Sequence, residues 1–78
     1  MFYFGIDWSE NHHELCIINQ AGARVSQIQF EHSLAGFELI EIERRKLGVP
    51  ASECLVAIET EYNLVVDFLL DHDYIVYI

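Results

Sequence analysis

The sequence predicts one small α/β domain over residues 1–78, with five strands and two helices in the order β-β-β-α-β-α-β. Three observations carry that prediction. Apolar runs of strand length alternate with two stretches of helical periodicity. A turn signal, Asn19-Gln20-Ala21-Gly22, separates two strand-like segments near the N-terminus. No repeat, low-complexity tract or linker divides the chain.

The first strand is the run Phe2-Tyr3-Phe4-Gly5-Ile6-Asp7, and the second is residues 13–19, His13-Glu14-Leu15-Cys16-Ile17-Ile18-Asn19. After the turn, Ser26, Ile28 and Phe30 alternate with Gln27, Gln29 and Glu31, which predicts a half-exposed third strand and an antiparallel meander. Ser33 is a good N-cap, and Leu34, Phe37, Ile40 and Leu47 recur on one broad face until Gly48 and Pro50 stop the helix. Glu38, Glu41 and Glu43 are expected on its wetter side. A fourth strand follows at residues 53–59. A second helix runs from Asn63 to His72 on the pairs Leu64-Phe68 and Val65-Leu69, and Tyr74-Ile75-Val76-Tyr77-Ile78 is the fifth strand.

Short, right-handed crossovers return strand four to the free side of strand one, with strand five beyond it. The expected mixed sheet order is 3-2-1-4-5.

A chain of 78 residues buries only about 60–65% of its unfolded surface, so its own stability is expected to be small. Its 53% hydrophobic content argues against disorder and for a core completed by a partner or by more chain. The expectation of a longer protein also comes from Ile78, where the chain stops inside an apolar strand. Thirteen Asp and Glu against four Lys and Arg give a formal charge of −9, which repels nucleic-acid phosphates and predicts poor DNA or RNA binding by this piece alone. Three of the four cations form the run Arg44-Arg45-Lys46, placed to meet the negative end of the first helix.

Cys16 and Cys54 lie in predicted strands without the close spacing of a zinc knuckle or redox pair, and free, buried thiols fit a reducing cytoplasm. Met1 runs directly into the first strand, and no apolar stretch reaches membrane-spanning length, so the expectation is a cytoplasmic protein without a membrane segment.

Asp7 and Glu59 are the candidate functional residues. Each ends an apolar run, and a carboxylate at the end of a buried strand loses solvation that a partner or metal restores. In the order 3-2-1-4-5 the two strands are adjacent and parallel, so both acids fall at one C-terminal edge, where they can share a divalent cation. Alternation sets Asp7 on the face of Tyr3 and Gly5, and Glu59 on the face of Leu55 and Ala57, with Gly5 and Ala57 leaving space. The bland reading of both acids is a capping or solvated strand end, and nearby Glu61 is an alternative ligand. His12-His13 read as a hydrated turn, since adjacent residues of an extended chain face opposite ways. Trp8 reads as a packing residue, with a base or sugar contact as the alternative. His32 flanks a helix cap, and His72 a helix end.

The phrases Phe4-Gly5-Ile6-Asp7-Trp8-Ser9, the hairpin ending at Gly22, Gly36-Phe37-Glu38 and Val56-Ala57-Ile58-Glu59-Thr60 resemble the N-terminal part of the insertion sequence 110 family of DEDD transposases. The resemblance spans essentially all of the chain. It implies a ribonuclease H-like (RuvC-like) fold, here truncated, in which Asp7 and Glu59 are catalytic acids, two of four that hold Mg2+ (or Mn2+). The second pair is implied downstream, since Asp67, Asp71 and Asp73 precede or border strand five. Many members have a glycine soon after the glutamate, where this chain has Glu61-Tyr62-Asn63. The resemblance further implies a full-length protein that cuts and rejoins DNA with a guide RNA and a second, serine-bearing domain, while the 78-residue piece alone is inactive.

Three other readings stand beside it. A Holliday-junction resolvase would share the strand order and the first acid. A non-catalytic assembly module would use the acidic surface and an open sheet edge, which also invites homo-oligomers. A sugar-kinase or actin-like ATPase would open with the same Gly-Ile-Asp but needs phosphate-binding glycines that Trp8-Ser9-Glu10-Asn11-His12 lacks.

Overall fold

The computed structural model describes residues 1–9, 12–59 and 64–78. Its strands are β1 (Phe2–Asp7), β2 (His12–Ile18), β3 (Arg24–Glu31), β4 (Cys54–Ile58) and β5 (Ile75–Tyr77), and its helices are α1 (Leu34–Leu47) and α2 (Leu64–Asp71). A short 3-10 turn, Ala51–Glu53, leads into β4. The five strands form one mixed sheet in the order β3-β2-β1-β4-β5, the order the connection rules predict. The meander β1-β2-β3 is antiparallel, and β4 runs parallel to β1 and to β5.

Local chemistry sets the connections. Between β2 and β3, the Asn19 side-chain oxygen accepts the amides of Ala21 and Ala23, both at 3.0 Å, and Gly22 takes φ 87°. Ser33 Oγ accepts the Gly36 amide at 3.0 Å and caps α1. Gly48, at φ 72°, ends that helix by donating its amide to Arg45 O. At the end of α2 the left-handed residue is Asp73, φ 69°, with Asp73 N–H on Leu70 O and Tyr74 N–H on Leu69 O. This paired arrangement turns Tyr74 into the core.

Period-two alternation divides the sheet. Phe4, Ile6, Leu15, Ile17, Phe30, Val56 and Ile58 point to one face and join Phe37, Ile40, Val65 and Leu69 of the helices in a single core. The Phe37 ring meets Phe30 at 6.3 Å and Phe68 at 5.7 Å, so both helices cover that face. Fully burying each such side chain stabilises the fold by about 1.5–3 kcal/mol. The opposite face, carrying Tyr3, Gly5, Ala57, Ile75 and Tyr77, is exposed.

Four expectations are corrected. Glu41 is not on the wet side of α1: it is 3% exposed. Arg44 donates to both its oxygens at 3.0 and 2.9 Å, and the Tyr74 hydroxyl donates to it as well. Arg44 also donates to Val49 O at 2.8 Å, so one charge network joins α1, the turn before β4 and the entry to β5. His12 and His13 belong to β2, and His13 is buried, because the alternation His13-Leu15-Ile17 carries it onto the core face. Leu34 and Leu64 stay exposed at the first residues of their helices. Cys16 is half-buried on the open face, whereas Cys54 is fully buried, which raises its thiol pKa. The predicted helix start at Asn63, and the motif residues Thr60 and Glu61, lie outside the described residues.

Candidate functional site

Asp7 reaches the site because β1 is a central strand. Its parallel ladder with β4 runs from Phe2↔Cys54 to Ile6↔Ile58, and Asp7 and Glu59 stand one step further along that register. Both acids are exposed, and both line one open cavity of about 550 Å³ at the C-terminal edge of the two strands. Gly5 and Ala57 line the same cavity. A Cβ at Gly5 would have Cys16 O as its one neighbour within 4 Å, at 3.9 Å, so the surface over β1 is open at position 5.

A third carboxylate borders the cavity. Glu14 is the antiparallel partner of Asp7 across the β1-β2 ladder and accepts a hydrogen bond from Gln27 Nε2. Sequence reasoning missed it, although its alternation with Cys16 in β2 was available as a signal. Among the described residues, no three His, Cys, Asp or Glu side chains converge closely enough to hold an ion. Asp67 and Asp71 are elsewhere, in a groove between the helices beside Phe37 and Phe68. Asp73 caps α2.

Immediately beyond Asp7 the chain meets an aromatic cluster on the core side. The Trp8 ring stacks on His13 with centroids 3.4 Å apart and planes 12° from parallel. Ser9 N–H donates to His13 Nδ1 at 3.3 Å, and His13 Nε2 lies 3.3 Å from His32 Nδ1. Burial, with a smaller contribution from His32 and then His12, holds the His13 pKa below its ordinary value, so the ring is neutral. Trp8 is therefore a packing residue.

Asp7 and Glu59 thus stand at adjacent ends of two parallel strands, on one cavity that Gly5 and Ala57 also line. The model of the IS110 family of DEDD transposases, described as "Transposase", matches residues 4–78, and the chain belongs to that family. It is also 31% identical over 65 residues to the "Mini-circle putative transposase for IS117" of Streptomyces coelicolor (strain ATCC BAA-471 / A3(2) / M145). That match covers 82% of this chain and 16% of the relative, so the chain spans under a fifth of the curated protein's length. Among the described residues no helix is long and apolar enough to cross a membrane.

Proposed function

We propose that this chain is the N-terminal part of the ribonuclease H-like (RuvC-like) catalytic domain of a DNA transposase, in which Asp7 and Glu59 hold Mg2+ or Mn2+. The observation that carries this reading is the placement of both carboxylates at one end of two adjacent parallel strands on a single cavity. Their donor set fits the ion, since Mg2+ takes hard oxygen ligands, commonly one or two carboxylates, and keeps several waters in the remaining positions. Two such ions, when bound, would activate the attacking oxygen and stabilise the leaving oxygen of a phosphodiester.

The chain's own residues supply charge and shape. Asp7 and Glu59 present carboxylate oxygens to the cavity, and Gly5 and Ala57 keep its floor low enough for a backbone phosphate to approach. Glu14 adds negative charge beside Asp7, which favours a cation there. The formal charge of −9 opposes phosphate binding, so DNA, and a guide RNA with it, must be gripped by parts of a longer protein. Edge strands β3 and β5 offer pairing surfaces for homo-oligomers. Two acids alone are too few to place a second ion and a scissile phosphate, so the 78-residue piece alone is inactive.

The test is cleavage and joining of insertion-sequence ends by a full-length protein carrying this segment. Asp7→Asn and Glu59→Gln should each abolish strand cleavage while leaving the far-ultraviolet circular dichroism unchanged. Cleavage retained in either variant would overturn the assignment.

A further inference from the structure

We propose that His13 is a positioning residue for Asp7: its buried imidazole accepts the Ser9 amide and lies flat against Trp8, fixing the chain where it leaves β1. This rests on the reading of Asp7 as a metal ligand given above. Sheet pairing stops holding the chain at this point. The ladder to β4 ends at Ile6↔Ile58 and the ladder to β2 at Asp7↔Glu14. The next two residues, Trp8 and Ser9, are held by His13 through the stacked ring and the 3.3 Å hydrogen bond. Ser9 is tied to His12 as well, its Oγ donating to His12 O and accepting the His12 amide at 3.3 Å. The direction of the Asp7 side chain depends on backbone dihedrals at that exit. An acid that must present its oxygens to an ion needs them fixed.

The chemistry of position 13 shows that shape alone is not what the site uses. His13 is 1% exposed and, apart from the paired Glu41, is the buried polar or charged side chain among the described residues of a mainly apolar core. A buried polar ring is costly unless both nitrogens are paired, and here both are. A backbone amide only donates, so Nδ1 must be bare and Nε2 must carry the proton. Nε2–H then donates to His32 Nδ1, which leaves the His32 proton on its own Nε2. One tautomer thus links the end of β1, the start of β2 and the residue before the α1 cap. Phenylalanine would fill the same volume and stack on Trp8, but it would leave the Ser9 amide without its acceptor.

The experiment uses the isotopically labelled 78-residue chain in nuclear magnetic resonance. Long-range proton–nitrogen correlations should show His13 protonated at Nε2, and three-bond couplings should show a single Asp7 rotamer. In His13→Phe the Asp7 couplings should average between rotamers, and Mn2+ affinity at Asp7 should fall about tenfold. His13→Asn, whose Oδ1 replaces Nδ1 as acceptor, should restore the single rotamer and most of the affinity. If His13→Phe does not fold, His13→Gln, which reaches toward His32 but not Ser9, replaces it. A wild-type ring protonated at Nδ1, or an Asp7 rotamer unchanged in the variant that lacks the acceptor, overturns the proposal. If wild type takes no Mn2+ yet Asp7 loosens in that variant, the positioning role stands and the metal reading fails.

Discussion

Removing Glu41 should cost this small fold a large share of its stability. Glu41→Leu leaves the Arg44 guanidinium, whose side chain is 16% exposed, without its two-point partner, and leaves the buried Tyr74 hydroxyl without an acceptor. Breaking a buried ion pair from one side costs about 3–5 kcal/mol. Arg44 keeps Val49 O at 2.8 Å and some solvent, so the lower end, about 3 kcal/mol, is expected. A domain of this length has roughly 4–12 kcal/mol in total, and the corresponding fall in Tm is on the order of 15 °C. The pair Glu41→Leu with Arg44→Met removes both charges and should recover most of the loss, since an apolar pair of similar volume replaces a buried ion pair at little cost. Urea unfolding followed by Trp8 fluorescence and circular dichroism measures all three variants, and a double-mutant cycle isolates the coupling. A single variant that loses less than about 1 kcal/mol, with additive effects in the cycle, would refute the view that Glu41 is desolvated and paired.

Other expectations follow from the same geometry. Gly36→Ala should lower stability by about 1–3 kcal/mol or more, because a Cβ there would lie 2.8 and 2.9 Å from the Glu31 backbone carbon and nitrogen; an unchanged urea midpoint would contradict that close approach. Tyr74→Phe should cost about 1.5–3 kcal/mol through the lost hydrogen bond to an ionised acceptor, read from the same urea curves. Acid should destabilise the fold in two windows. The hydrogen bond from Arg44 leads in holding the Glu41 carboxyl below its ordinary 4.5, and burial leads in holding His13 below its ordinary 6.5. Both groups bind more protons when unfolded, so their stabilisation is complete above those ordinary values and is lost as pH falls below them. The charge of −9 acts oppositely as acids are neutralised. The check is therefore the difference between wild type and His13→Asn, which should shrink as pH falls below about 6.5.

Much of this architecture was legible because local rules agreed with one another. Ser33 and Gly48 bracket α1 as cap chemistry predicts, the Asn19-Gly22 turn closes its hairpin, and short crossovers leave β4 only the free side of β1. The juxtaposition of Asp7 and Glu59 followed from that order alone. What was misread had non-local partners. Glu41 lies four residues after Phe37 and one after Ile40, squarely on the apolar stripe, but its acidic type argued for water, and Tyr74, which helps bury it, is 33 residues away. His13 alternates with Leu15 and Ile17 and so belonged to the core by period. The pull of the paired histidines toward a turn hid this, and its partners Ser9 and His32 come from separate connections. The 3-10 turn at Ala51–Glu53 is too short for periodicity to announce.

The proposed function requires Asp7 and Glu59 to share a cation, and the most direct measurement is a Mn2+ titration of the labelled chain followed by paramagnetic broadening. Broadening should centre on Asp7, Glu59 and the neighbouring Gly5 and Ala57, and should disappear in Asp7→Asn with the rest of the spectrum intact. Millimolar Mn2+ that leaves those signals sharp, or that broadens Asp67 and Asp71 in the helical groove instead, would contradict it.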